Sequence, residues 1–218
     1  AELADMRNKI ISYIVEGKDA WIEEYPNNYY LHKNTIDKNS LLLHYRYKGV
    51  IEINSKIEIR DISLLDKLIN WDNLDHIAGL IAKNPELIND LTCKANFGSV
   101  ITNGTAILGF GDIGSLAGLP VMEGKGVLFK LFGGMDIMPL CVDEKDPKKF
   151  IEIVKRISPT FSAINLEDIK APDCFLIEGT LIEALPYPVF HDDQHGTAIV
   201  VLAGIINALR LCKKNIKD

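Results

Sequence analysis

The chain has 218 residues, 47% of them hydrophobic and 25% charged, with a net charge of -6, which suits a soluble protein with one good core and excludes a disordered chain. The acidic balance and scattered Lys and Arg argue against a nucleic-acid surface, which needs clustered cations to neutralise phosphates. No apolar run reads as long as the roughly 18 to 20 residues that cross a bilayer, and no leader pattern opens the chain, so a cytoplasmic protein without a membrane partner is expected.

In chain order, residues 2–16 place Leu3, Met6, Ile10, Ile11 and Ile14 at helical spacing before Gly17, which predicts an amphipathic helix with a glycine stop. Residues 18–47 are rich in Tyr, Asn and His with weak periodicity. Residues 49–59 alternate apolar with polar and predict half-exposed strands. Residues 61–91 read as helical, with Pro85 early in the last helix, where a missing amide costs little.

From Ser99 onward apolar runs alternate with helical patterns. Strands are expected at 100–101, 105–110, 136–142, 162–166 and 188–190, with helices near 113–132, 147–156, 171–184 and 195–212. That alternation predicts an α/β fold, a three-layer α/β/α arrangement with a small, mostly parallel sheet preceded by a helical N-terminal region. The expected division is 1–98, helical with short strands and dimer-forming, and 99–218, the α/β domain. Cys93, Cys141, Cys174 and Cys212 are far apart and form no C-x-x-C pair, which favours reduced thiols over disulfides or a zinc site.

Two acidic clusters each follow a buried-strand pattern: Glu167-Asp168, and Asp192-Asp193 flanked by His191 and His195. Side chains at the carboxyl ends of neighbouring strands of an open α/β sheet meet at one crevice. Four carboxylates there repel one another unless a cation holds them, and hard oxygen donors suit Mg²⁺ or Mn²⁺. The competing reading is helix capping, with Asp168 and Asp193 each preceding a helix. Doubled acids at two strand ends exceed what capping requires. Each histidine reads as a hydrogen-bond partner ahead of a metal ligand.

Gly109-x-Gly111-x-x-Gly114 has the spacing of a dinucleotide fingerprint, but the acid at the end of the next strand, Asp143, lies 29 residues past Gly114 and Asp136 stands at that strand's start, so the match is mediocre. A turn letting backbone approach a small anion is the favoured reading, ahead of a dinucleotide site and of simple tight packing. Lys125, just past Gly124, is either a solvated lysine or a proton shuttle.

From about residue 81 onward the sequence resembles the amino-terminal, substrate- and metal-binding domain of bacterial-type malic enzymes. The resemblance rests on Ile81-Ala-Lys-Asn-Pro-Glu-Leu87, Thr102-Asn-Gly-Thr-Ala-Ile-Leu-Gly-Phe-Gly-Asp-Ile-Gly114, Pro120-Val-Met-Glu-Gly-Lys125, Ile164-Asn-Leu-Glu-Asp-Ile-Lys-Ala-Pro172 and Pro188-Val-Phe-His-Asp-Asp-Gln-His-Gly-Thr-Ala198. It implies that Glu167, Asp168 and Asp193 hold Mg²⁺ or Mn²⁺, that Lys125 is the general base and that Asp192 is its partner. It implies conversion of malate and NAD(P)⁺ to pyruvate, CO₂ and NAD(P)H, with malate or oxaloacetate as the oxyacid and a homodimer as the assembly. It also moves the glycine turn into the substrate domain, so NAD(P) is expected only if a further domain follows.

Two departures stand out. The family's catalytic tyrosine, upstream of the Asn84-Pro85-Glu86-Leu87 stretch, falls on Asn70, and an amide cannot act as a general acid. The sequence also stops at the threshold of the family's nucleotide domain and opens on Ala1, so an excised piece is expected. The alternatives are an NAD-independent 2-oxo acid decarboxylase and a noncatalytic binding or dimerisation module of a multidomain protein.

Overall fold

The computed structural model describes His44 and residues 47–217. The helix expected at 2–16 and nearly all of the 18–47 stretch lie outside the described residues. The chain falls into two units, Ala1–Val50 and Ile51–Asp218, and the second carries the sheet and every helix named below.

Residues 51–60 form no regular structure, so the strands expected at 49–59 do not form. Ile53 is 84% exposed. Alternation fits a pleated surface, but a strand needs a neighbouring ladder to take its amides and carbonyls, and no described segment offers one here.

The first helix, α1 (Ile62–Ile69), starts at Asp61, whose carboxylate accepts the Leu64 N–H at 2.7 Å. Asn70 ends it and opens α2 (Trp71–Lys83) by accepting the Asp72 N–H at 3.0 Å. Short polar side chains at such ends satisfy amides that the helix itself leaves free. Pro85 then begins a 3₁₀ turn, Pro85–Leu87, and α3 (Ile88–Leu91) follows.

Four strands, β1 (Phe97–Thr102), β2 (Asp136–Cys141), β3 (Ile164–Leu166) and β4 (Val189–His191), make one parallel sheet in the order β2-β1-β3-β4. The crossovers carry α4 (Leu119–Gly133), α5 (Pro147–Ile157) and α6 (Asp173–Ala184), and α7 (Asp192–Cys212) follows β4. Ile101, Ile164, Leu166 and Val189 of the sheet pack against Phe150, Ile151 and Val154 of α5 and against Cys174, Ile177 and Leu181 of α6. Full burial of one such aliphatic side chain stabilises by about 1.5–3 kcal/mol. On the other face Gly126 of α4 sits against Ile137. The three layers are those the alternation implies.

Residues 105–110 are not a strand. β1 has β2 on one side and β3 on the other, so no edge is left beside it for the chain to return to. The segment instead folds on itself, with a single antiparallel bridge between Ile107 and Gly111 and with Gly109, Gly111 and Gly114 at φ of 77°, 74° and 92°. Only glycine takes such angles without a steric cost. The turn closes where the Gly114 N–H donates to the Gly104 carbonyl at 3.2 Å.

Every residue of α7 is at least partly exposed, Val200 by 71%. By length and composition alone this helix is apolar enough to cross a membrane, which departs from the expectation drawn from unbroken apolar runs. Such a helix alone is weak evidence for a span, and the first turn of this one carries Asp192 and Asp193.

Gly104 adopts a φ of 68°, and a Cβ there would run into the backbone of Gly114 and Ser115. Gly104→Ala is expected to lower the unfolding free energy by at least about 2 kcal/mol, read as a reduced urea midpoint at an unchanged slope.

Candidate active site

β1 is flanked by β2 and β3, so the sheet order reverses beside it, and in such sheets the crevice at the strands' carboxyl ends takes the ligand. Glu167 and Asp168 follow β3 directly, Asp192 and Asp193 follow β4, and Lys125 arrives from α4. The structure brings all five of these expected residues together.

Glu167, Asp168 and Asp193 each present a carboxylate oxygen, and those oxygens lie within 4.8 Å of one another. Asp168 is wholly buried and Glu167 is 2% exposed. Asp168 takes the left-handed region at φ 53°, a conformation that Asp tolerates better than most residues. Several bonds hold it there. Its N–H donates to Asp193 Oδ2 at 2.9 Å, and its carbonyl accepts the Ala106 N–H at 3.0 Å. Thr105 Oγ1 accepts the Lys170 N–H at 3.0 Å. The loop after β1 therefore fixes the backbone on which Asp168 sits.

Lys125 Nζ stands 3.3 Å from Glu167 Oε1 and forms a closer, hydrogen-bonded ion pair with Asp192. Asn165 Nδ2 donates to Glu167 Oε2 at 3.0 Å. Gly196, one turn into α7, leaves room for Asp192, since a Cβ there would press on its Oδ1. The buried His191 ring places Nε2 at 3.3 Å from Asp193 Oδ2 without the angle of a hydrogen bond. His195 Nε2 instead pairs with Glu178 Oε2 at 2.9 Å.

Burial pushes the Glu167 carboxyl up to about 7, against the pull of Lys125 and helped by Asp193 and Asp192. Burial likewise lifts Asp168 to about 6, with the Asp193 charge adding to it. Asp193 is held below the usual range, chiefly by the His191 imidazole beside it. For Lys125 burial opposes the charge, but the hydrogen bond it donates to Asp192 and the charges of Glu167 and Asp192 outweigh it and raise the ammonium. The site is short of positive charge.

Both carboxylate oxygens of Asp168 are buried, and the Leu108 backbone N–H that pulls on the carboxyl falls short of a proper hydrogen bond. A buried acceptor left without a donor costs free energy that a cation would recover. Three clustered carboxylates are the donor set of a hard dication, so the residues present fit Mg²⁺ or Mn²⁺. The capping alternative does not hold for Asp168, because α6 starts only at Asp173 and Pro172 precedes it. Asp192 and Asp193 do lie in the first turn of α7, where the helix dipole favours negative charge.

Sequence reasoning missed Asn165 and Glu178. Glu178 is 5% exposed on α6, and its carboxylate accepts from the His191 backbone N–H at 2.8 Å and from Gln194 Nε2 at 3.1 Å besides meeting His195. A carboxylate on the apolar face of a helix was the available signal.

Residues 66–149 match the family model described as malic enzyme, N-terminal domain. That stretch is a malic enzyme N-terminal domain. The chain is 50% identical over 170 residues to the NAD-dependent malic enzyme of Geobacillus stearothermophilus, covering 78% of this chain and 35% of that protein. It is 59% identical over 138 residues to the NADP-dependent malic enzyme of Escherichia coli, covering 63% of this chain and 18% of that one. The solved NAD-dependent malic enzyme of Thermotoga maritima superposes with a TM-score of 0.77 at 43% identity, over 84% of this chain and 48% of that one. The chain thus spans less than half the length of these malic enzymes. Lys125 and Asn70 fall inside residues 66–149, the part matched by the family model, whereas the four acids lie beyond it.

Two outcomes are expected of this malic enzyme domain. Between the unfolded carboxylate range near 4 and about 7, the folded chain keeps a proton on Glu167 that the unfolded chain releases. Without a cation, stability should therefore fall as pH rises through that window. Urea denaturation at pH 5 and pH 8 should show a drop that Glu167→Gln reduces, and Mn²⁺ affinity should rise over the same window. Gly196→Ala should displace Asp192 from Lys125, seen as a fall in the Lys125 pKa by NMR titration.

Proposed function

We propose that this chain is the substrate- and metal-binding part of an enzyme that converts malate and NAD(P)⁺ to pyruvate, CO₂ and NAD(P)H. The observation that carries the reading is the buried trio Glu167, Asp168 and Asp193 beside the Lys125–Asp192 ion pair. The trio would hold Mg²⁺ or Mn²⁺, which when bound supplies Lewis-acid polarisation of the substrate's C2 oxygen.

Lys125 is the group placed to take the proton from the 2-hydroxyl. In the state described it is an ammonium held by Asp192 and Glu167. Engagement of Glu167 as a ligand would remove one of those two partners and bring the amine nearer to release of its proton. Asp192, anchored at the start of α7, then fixes the direction of Nζ. NAD(P) use belongs to the whole enzyme, since the longer relatives are NAD- and NADP-dependent by name. The glycine turn at 109–114 has no part in it on this reading. Malate or oxaloacetate is the partner, and the protein is read as a cytoplasmic homodimer, a state that light scattering would check.

The family's acid is the weak point. Asn70 has its side-chain oxygen engaged on the Asp72 N–H, and an amide does not protonate an enolate. This supports a second reading, a module that binds metal and oxyacid without full turnover. An NAD-independent decarboxylase is told apart from both by CO₂ release from oxaloacetate without nucleotide.

Calorimetry should show one Mn²⁺ per chain, abolished by Asp168→Asn, which keeps the left-handed backbone accessible. In the full-length protein Lys125→Ala should cut malate decarboxylation at least about 100-fold while leaving Mn²⁺ binding in place. No heat with Mn²⁺ or Mg²⁺ would sink the metal reading. Asn70→Tyr should raise pyruvate release if enolate protonation limits the rate, and an unchanged rate would favour the binding module.

A further inference from the structure

We propose that Glu178 is a positioning residue whose buried carboxylate clamps the β4–α7 junction and thereby sets where Asp192 and Asp193 stand. Its functional meaning rests on the metal and lysine reading proposed for the site, though its geometry does not.

Glu178 projects from α6 among Cys174, Ile177 and Leu181, all core residues. A carboxylate there loses its hydration, which is costly unless hydrogen bonds replace it. The replacements come from one place. Oε1 accepts the His191 backbone N–H at 2.8 Å, and Oε2 meets Gln194 Nε2 at 3.1 Å and His195 Nε2 at 2.9 Å. These three groups bracket Asp192 and Asp193 on both sides. The acids themselves make no bond to Glu178; their direction is set by the backbone that it holds.

The junction is also held by the β3–β4 ladder, which pairs Leu166 with His191, by the Asp168 N–H on Asp193 and by the Lys125–Asp192 pair, but none of these reaches back to α6. Every residue of α7 is at least partly exposed, so packing does not determine how the helix enters. β4 contributes only Val189, Phe190 and His191. The Glu178 bonds are the polar link between α6 and the turn that carries two of the five site residues. Charge-assisted bonds of this kind are about twice as strong as neutral ones. The Asp193 oxygen that accepts the Asp168 N–H lies at the other end of that link, so loosening the junction should loosen the β3 side as well.

The experiment compares Glu178→Ala, Glu178→Gln and Leu181→Ala in the same chain. Leu181 is a fully buried neighbour on α6, so its truncation costs core stability without touching the junction. Two readouts are used: the Mn²⁺ dissociation constant by calorimetry, and hydrogen exchange of the Asp168 amide relative to the Ser99 amide, which donates to Ala163 within the core of the sheet. Glu178→Ala should weaken Mn²⁺ at least tenfold and raise the Asp168-to-Ser99 exchange ratio at least tenfold. Glu178→Gln keeps one acceptor for the His191 N–H and should recover part of both. Leu181→Ala should leave both within about threefold. Equal effects from Leu181→Ala and Glu178→Ala, or no effect of Glu178→Ala on the exchange ratio, would overturn the clamp. A wild-type chain that binds no Mn²⁺ yet loses Asp168 protection in Glu178→Ala would keep the clamp and remove the metal reading.

Discussion

The arrangement turns on negative charge placed where water cannot reach it. Asp168 is fully buried with neither oxygen bonded to a described group, and Glu167 beside it is nearly as buried. A fold optimised only for stability would not put two carboxylates at the end of a core strand, since each ionised group there loses hydration worth several kcal/mol. The surrounding structure responds to that deficit. Asn165 donates to one oxygen of Glu167, Lys125 supplies a cation shared with Asp192, and the remainder is left as carboxyl groups that hold protons near neutrality. Strain retained at a site in this way is a mark of function rather than of packing.

The fold and the site divide according to how local their causes are. The strands β1 to β4 and the helices α4 to α7 were legible because each buries a short apolar run or a helical stripe, a pattern carried within a dozen residues. The segment at 105–110 misled for a topological reason: its apolar residues look like strand, but the sheet has no edge free beside β1. The stretch at 49–59 misled in the opposite sense, since its alternation is real and lacks a partner ladder among the described residues. Pairing is non-local, and a one-dimensional pattern does not carry it.

The same distinction governs the site. The acids were legible because they come doubled at two strand ends, which neither capping nor solubility demands. Glu178 was hidden because its partners lie 13, 16 and 17 residues away and the residue itself looks like any other acid on a helix. Asn165 was hidden inside the motif that drew attention to Glu167 and Asp168. Asn70, which the resemblance sets where the family has its tyrosine, caps α2 and so has a structural occupation of its own.

Asp168 meets two demands that few side chains meet together. Its backbone sits at φ 53°, a region open mainly to glycine, asparagine and aspartate, while its carboxylate faces a charged pocket. On the metal reading proposed for this site, a lineage that abandoned the ion would lose selection on the carboxylate and keep selection on the torsion. Drift at this codon would then run toward asparagine or glycine and away from glutamate, alanine or the branched aliphatics. The identity of the amino acid found there in divergent descendants thus records whether the chemistry or only the scaffold was kept.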